Sequence, residues 1–134
     1  MTTQIDDEFT SWMAGQVFMV VEDMSSARML EASLLRGLGA KKVMAATDGA
    51  DALAKLDAAE HAPDIIISDW MMPGVDGLAL LEGTKKKFPA VKFIMLTAKT
   101  DLDDVRQARE KGVDGYIAKP FTKETLVAAL RKLI

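Results

Sequence analysis

The amino-acid sequence predicts a three-layer α/β/α sandwich built around a five-stranded parallel sheet. Three observations carry this expectation. From Val17 onward, short apolar runs alternate with longer amphipathic stretches, the pattern of repeated strand–helix units. The run Ile65-Ile66-Ile67 is apolar without alternation, as in a strand covered on both faces. The 134 residues hold five such units without a long insertion, too short a chain for an eight-fold barrel of ~250 residues.

Residues 1–15 precede the alternation. Ile5, Phe9, Trp12 and Met13 repeat at i, i+4, i+7 and i+8, with Asp6, Asp7 and Glu8 largely off that stripe. The segment reads either as a short amphipathic helix that docks on its own domain or a partner, or as a frayed terminus. The domain proper is expected over 16–134, opening with a strand at Val17–Val21. A helix over 25–38 follows, with Ser25 or Ser26 accepting the orphan N–H bonds of its first turn. Its buried stripe is read as Ala27, Leu30, Leu34 and Leu38, which leaves Arg28, Glu31 and Arg36 on other faces. A second strand is expected over 43–46, then a helix over 49–59 capped by Asp48, then the third strand at Ile65–Ser68. Next come a helix over 76–87 capped by Asp76, a fourth strand over 92–96, and a helix over 101–111 capped by Thr100 or Asp101. A fifth strand over 116–118 and a helix over 122–133 close the chain, the latter capped by Thr122 and striped by Leu126, Ala129, Leu130 and Leu133. Gly37, Gly39, Gly112 and the Phe88-Pro89 pair fall where the helical patterns fade.

Composition excludes several classes of function. Lys and Arg number 17 against 20 acidic residues, a net charge of -3, so no basic field draws the chain to a nucleic-acid backbone. The absence of cysteine removes disulfides, thiolate nucleophiles and cysteine zinc sites together. No apolar run approaches the ~18 residues of a membrane span, and the N-terminus lacks a basic stretch followed by an apolar one. A cytoplasmic, monomeric protein is expected, with neither nucleic acid nor membrane as partner. His61, beside Pro63, is read as an exposed loop residue, and the nine Met as adaptable core filling.

Chemistry is sought at the carboxyl ends of the strands, where loops and helix N-termini of a parallel sheet converge. The first strand ends in Glu22-Asp23, the third in Asp69, the fourth in Thr97-Ala98 and the fifth in Lys119-Pro120. Three carboxylates crowded together repel unless a cation joins them, and a hard divalent ion such as Mg²⁺, or Mn²⁺, takes oxygen ligands while keeping several waters. Asp23 and Asp69 are assigned as direct ligands, Glu22 as a direct or water-mediated one, and Met71 as a backbone-carbonyl ligand, its thioether being too soft. Asp69 is then poised to attack phosphorus and form an acyl phosphate, with Lys119 and the cation neutralising charge. Thr97 is placed to hydrogen-bond the transferred group, and Ala98 leaves room for its oxygens. The Lys119-Pro120 bond is a candidate cis peptide.

These motifs carry a resemblance. Val20-Val21-Glu22-Asp23, Ile67 through Pro73 with Asp76-Gly77, Leu96-Thr97-Ala98, and Gly115-Tyr116 through Lys119-Pro120-Phe121 resemble the response-regulator receiver family, in its stand-alone CheY-like form. The likeness runs from about Val17 to the C-terminus. It implies a flavodoxin-like sheet order of 2-1-3-4-5, an order the general rules of doubly wound sheets already attach to that family. It also implies phosphorylation at Asp69, an acidic pair at Glu22 and Asp23, a switch hydroxyl at Thr97 and a conserved-type lysine at Lys119. Glu22 stands where aspartate is commoner, which alters the water geometry around the ion. Tyr116 is implied to move inward on phosphorylation, changing the surface made by the helix over 101–111, the fifth strand and the last helix. Lys99 and Met71 flank the expected path of the hydrolytic water.

The resulting expectation is a two-component signalling switch that takes its phosphoryl group from a histidine kinase or a phosphotransfer protein and then changes its affinity for a downstream protein. It is not expected to act as an enzyme on other substrates. No output domain follows Ile134, which points to a diffusible messenger. Asp69-Trp70 and Tyr116 lean toward chemotaxis, with a phosphorelay shuttle or a kinase regulator as alternatives. An aspartate-nucleophile phosphatase of the haloacid-dehalogenase type needs a proton-donating acid where Met71 stands. A flavodoxin-like cofactor binder needs a phosphate cradle where Glu22-Asp23 repel phosphate.

Overall fold

The computed structural model describes residues 4–134. The chain runs α1 (Asp7–Met13), β1 (Val17–Val21), α2 (Ser25–Gly37), β2 (Lys42–Ala46), α3 (Gly49–Ala58), β3 (Ile65–Ser68), α4 (Gly77–Lys87), β4 (Lys92–Thr97), α5 (Leu102–Glu110), β5 (Gly115–Ala118) and α6 (Lys123–Arg131). All strand pairs are parallel, in the order β2-β1-β3-β4-β5. Both the three-layer sandwich and its implied order are present. The order reverses between β1 and β3, because the chain steps out to β2 and then crosses back, and that reversal opens a crevice above the ends of β1 and β3.

Strand alternation divides the interior in two. Phe18 and Val20 of β1, with Ile65, Ile67, Ile94, Leu96 and Ile117, face one side and meet α1, α2 and α6. Met19 and Val21, with Ile66, Phe93 and Met95, face the other and meet α3, α4 and α5. Helices on both faces are what let successive residues of β3 be apolar, and each such side chain, once buried, contributes about 1.5–3 kcal/mol. Three helix starts are closed by the caps read from sequence. The Asp48 carboxylate accepts from Asp51 N at 2.8 Å and Asp76 from Ala79 N at 2.9 Å, while Thr122 and Thr125 form a reciprocal capping box.

The structure corrects four sequence readings. Helix α2 has Met24 at its N-cap and no side-chain cap, with Ser25 already inside the helix. Asp101 precedes α5 but its side chain makes no cap bond. The strands gain Lys42, Thr97 and Gly115 at their ends, because backbone pairing with Val17, Ala118 and Ile94 continues past the apolar residues. The largest correction is the phase of α2. Leu38 is buried and Leu34 packs on the core as expected, but Leu30 is 54% exposed while Glu31, Ala32 and Leu35 are buried, so the buried face lies to one side of the expected stripe. Arg28 donates to the Glu22 carbonyl at 2.8 Å, which ties the first turn of the helix to the end of β1.

The N-terminal segment does form a helix. Asp6 caps α1 by accepting from Phe9 N at 2.9 Å, and Phe9 and Met13 are both fully buried among Leu35, Leu38, Leu126, Val127 and Leu130. Arg131 of α6 clamps its outer side, bonding Asp6 Oδ1 and Oδ2 at 2.9 and 2.8 Å and Glu8 Oε1 at 3.2 Å. Of the expected stripe, Ile5 remains 39% exposed and Trp12 half-buried. His61 is exposed, as expected. Among the described residues no helix is long and apolar enough to cross a membrane.

Candidate functional site

The register of the central strands assembles the site. Val21 pairs with Ser68, so the residues that follow each strand emerge side by side. Asp69 N donates to Val21 O at 3.1 Å and Glu22 N to Ala46 O at 3.1 Å, extending the ladders by one residue and holding both acidic positions on rigid backbone. Carboxylate oxygens of Glu22, Asp23 and Asp69 lie within 4.8 Å of one another. Glu22 is buried, Asp69 half-buried and Asp23 exposed, so the cluster opens to solvent on one side only.

Lys119 reaches this cluster from the far side of the sheet. Its Nζ donates to Glu22 Oε1 at 2.5 Å and to Asp69 Oδ2 at 2.9 Å. The Lys119–Pro120 peptide is cis, and Lys119 N donates to Thr97 O at 2.9 Å, joining the ends of β4 and β5. The other oxygen of Asp69, Oδ1, accepts from Trp70 N at 2.7 Å and Met71 N at 3.3 Å. One oxygen is thus held by backbone amides and the other by an ammonium. The loop after Asp69 folds tightly back: Gly77 N donates to Trp70 O at 2.8 Å, and a Cβ on Gly77 would lie 2.3 Å from Asp69 O. Only glycine fits there.

Burial raises the pKa of the Glu22 carboxyl, opposed by the hydrogen bond and charge of Lys119. Burial works against the Lys119 ammonium as well, but the hydrogen bonds it donates to Glu22 and Asp69 outweigh that and hold its pKa up at about 12. The lysine therefore stays charged at any physiological pH. Three carboxylates against one ammonium leave the cluster negative, and its donors are all oxygens. Both facts fit a hard divalent cation such as Mg²⁺ or Mn²⁺.

Thr97, Tyr116 and Met71 lie around this core without joining its hydrogen bonds in the same way. Thr97 is fully buried and its Oγ1 accepts from Lys99 N at 3.3 Å. The hydroxyl of Tyr116 donates to the carbonyl of the same Lys99. Burial, then the charges of Asp104 and Asp69, push the Tyr116 phenol up to about 12, so it remains a donor. Lys99 is thus the link between the two switch candidates. Its ammonium sits 5.0 Å from the Trp70 ring centre and 3.6 Å from Asp104. The Met71 side chain is 61% exposed beside the cluster.

Sequence reasoning missed Glu31. Placed on an outer face by too narrow a stripe, it is 4% exposed and lies against Glu22. Burial first, then the charges of Glu22 and Asp69, push its carboxyl up to about 8. The signal that finds it is Leu35, which with Ala32 extends the buried face beyond Leu34 and Leu38 to the side that carries Glu31. Arg28 and the Lys99–Trp70 stack were also missed as site contacts, and neither has a motif of its own.

Comparison with known proteins gives one consistent neighbourhood. A family model described as the response regulator receiver domain matches residues 18–131. Chemotaxis protein CheY-3 of Vibrio cholerae serotype O1 is 35% identical over 117 residues, 86% of this chain and 88% of that protein. Chemotaxis protein CheY of Pseudomonas aeruginosa is 33% identical over 117 residues, 86% of this chain and 93% of that one. The structure of Vibrio cholerae chemotaxis protein CheY4 crystallised at low pH is similar with a TM-score of 0.82 and 30% identity, over 90% of this chain and 100% of that one.

Proposed function

The chain belongs to the response regulator receiver domain family, and we propose that it is a single-domain switch whose phosphorylation site is Asp69. The observation that carries this reading is the meeting of Glu22, Asp23 and Asp69 at one point with Lys119 bridging two of them. Residues 16–134 act as the receiver unit, with 1–15 as an extension whose helix α1 packs upon it.

The donor is a phosphohistidine on a histidine kinase or phosphotransfer protein. A carboxylate oxygen of Asp69 attacks phosphorus, and the P–N bond breaks with its electron pair leaving on the imidazole. Asp23, Asp69, the Met71 carbonyl and, directly or through water, Glu22 would hold Mg²⁺ or Mn²⁺, which would supply neutralisation of the phosphoryl oxygens. Lys119 exchanges its contact with Asp69 for one with the new group. Thr97 turns its hydroxyl toward the same group, which withdraws the acceptor from Lys99 N. Tyr116, bonded to the other end of Lys99, then changes its packing, and the surface of α5, β5 and α6 changes its affinity for a downstream protein. Water attacking phosphorus returns Asp69 and inorganic phosphate, so the chemistry serves a signal rather than a metabolic conversion.

The names of the CheY relatives support chemotaxis as the pathway. A phosphorelay or kinase-regulating role is the second reading. Incubation with acetyl phosphate and Mg²⁺, followed by intact mass, tests the site: label is expected on wild type and absent from Asp69→Asn, and label retained on the variant rejects the assignment. Pull-down with and without beryllofluoride separates the pathways, since capture of phosphotransfer proteins but not of motor-switch peptides removes the chemotaxis reading.

A further inference from the structure

Backbone conformation does not explain the glycine at position 49. Among the described residues Gly39, Gly74 and Gly112 are the glycines with positive φ. As the first residue of α3, Gly49 also forgoes the helix propensity that alanine would supply. What requires it is close approach. A Cβ there would lie 2.3 Å from Val75 O, 2.7 Å from Val75 Cγ1 and 2.9 Å from Val75 Cβ. The two backbones are therefore in contact, and Val75 belongs to the turn that runs from Asp69 to α4.

The segment that carries Gly49 braces both halves of the site. Ala46, at the end of β2, accepts from Glu22 N at 3.1 Å, and Gly49 follows shortly after to abut Val75. Little in this segment can yield. Asp48 accepts from Asp51 N at 2.8 Å through its side chain and from Ala52 N at 3.0 Å through its carbonyl, while Thr47 N donates to Asp51 Oδ2 at 2.9 Å. Ala52 and Leu56 root α3 in the core. The facing turn is closed by Gly77 N on Trp70 O at 2.8 Å, so a displacement of Val75 passes to Trp70 and Met71 instead of being absorbed. Those two residues hold Asp69 Oδ1 by their N–H groups, at 2.7 and 3.3 Å.

We propose that Gly49 is a positioning residue for phosphorylation: the bare backbone at the start of α3 is the seat for Val75, and that seat fixes the turn whose amides orient the Asp69 carboxylate. The inference rests on the reading of Asp69 as the phosphorylation site. A methyl group at position 49 falls short of ordinary contact with Val75 O by roughly 1 Å. A misplacement of that size at a reacting group costs up to ~100-fold in rate.

The test compares Gly49→Ala with Gly83→Ala, whose Cβ would meet Leu53 Cδ2 at 3.4 Å, a contact between the same two helices but away from the turn. Circular dichroism gives the fold and Tm of each variant. Intact mass gives the labelling rate at saturating acetyl phosphate and Mg²⁺, well below Tm. A glycine that serves stability alone lowers Tm when replaced and leaves that saturated rate unchanged. Gly49→Ala is expected to label about 10- to 100-fold more slowly than wild type, and Gly83→Ala within about twofold of it. A folded Gly49→Ala that labels within about twofold of wild type overturns the proposal, as does Gly83→Ala slowed to the same degree. If Gly49→Ala does not fold, Val75→Ala takes its place: it deletes the Cγ1 contact of the seat and is expected to slow labelling by about threefold or more, and a folded Val75→Ala at the wild-type rate overturns the proposal. Wild type that takes no label, or Asp69→Asn that takes it, overturns instead the reading of the site on which the proposal stands.

Discussion

Replacing Phe9 by Ala asks whether α1 belongs to the folding unit. Phe9 is fully exposed in a frayed terminus but fully buried here, against α2, α6 and the face of the sheet carrying Phe18 and Val20. Truncating a buried Phe costs about 3–5 kcal/mol through lost transfer energy and the cavity left behind. A domain of this size has roughly 5–15 kcal/mol in total, so the variant should sit near the lower limit of stability. That corresponds to a fall of roughly 10–20 °C in Tm. The clamp outside α1 contributes far less. Asp6 and Glu8 are 46% and 68% exposed in their side chains, and an exposed ion pair is worth about 1 kcal/mol or less. Phe9→Ala should therefore destabilise several times more than Arg131→Ala. Urea denaturation followed by circular dichroism reads both the midpoint and the slope. A loss below about 1 kcal/mol at unchanged slope would refute the reasoning, because α1 would then be making no contribution to the cooperative core.

Gly77→Ala should destabilise by about 1–3 kcal/mol and slow labelling by acetyl phosphate, since its Cβ would lie 2.3 Å from the Asp69 carbonyl oxygen and the loop must shift; a variant matching wild type in both respects defeats that account. Glu31 binds its proton more tightly folded, at about 8, than at its ordinary 4.5, so the folded state holds the extra proton between those values and stability falls as pH rises through them. In cation-free buffer Glu31→Gln should match wild type near the lower limit and exceed it near the upper one, on the order of 2–4 kcal/mol by denaturant titration. An advantage that shrinks with rising pH contradicts the sign. Lys99→Met should remove the charge from above the Trp70 ring, at a cost of about 1 kcal/mol or less, and shift the tryptophan emission of a Trp12→Phe background. Unchanged emission there means that the stack is not held in solution.

Where side-chain period and backbone period coincide, the fold was readable before any coordinates. Ile65-Ile66-Ile67 announced a strand covered twice, and the acids at the ends of β1 and β3 became neighbours once the strands were known to pair. The caps Asp48, Asp76 and Thr122 were legible because a cap is a local contact, complete within four residues. Helix α2 was legible only in part, since Leu34 and Leu38 face the core as expected while Leu30 does not and Leu35 does. The Arg28 bond to the Glu22 carbonyl, which accompanies that orientation, is a tertiary contact with no periodic signature. The error carried Glu31 with it. Thr97, Tyr116 and Lys119 were recognised by motif, but the role of Lys99 as the residue bonded to both Thr97 and Tyr116 depends on backbone atoms that no side-chain pattern reports.

The contact at Gly77 divides the surroundings of Asp69 into a stiff half and a yielding one. On one side the acceptor loop is stitched shut by the Gly77–Trp70 bond and abuts the root of α4 with no gap for displacement. On the other, the loop leading to α5 is held through Lys99, whose backbone bonds Thr97 and Tyr116 and whose ammonium meets Trp70 and Asp104. A side chain is what must move on the second side, whereas on the first it is closed backbone, as an anvil stands under whatever rests upon it.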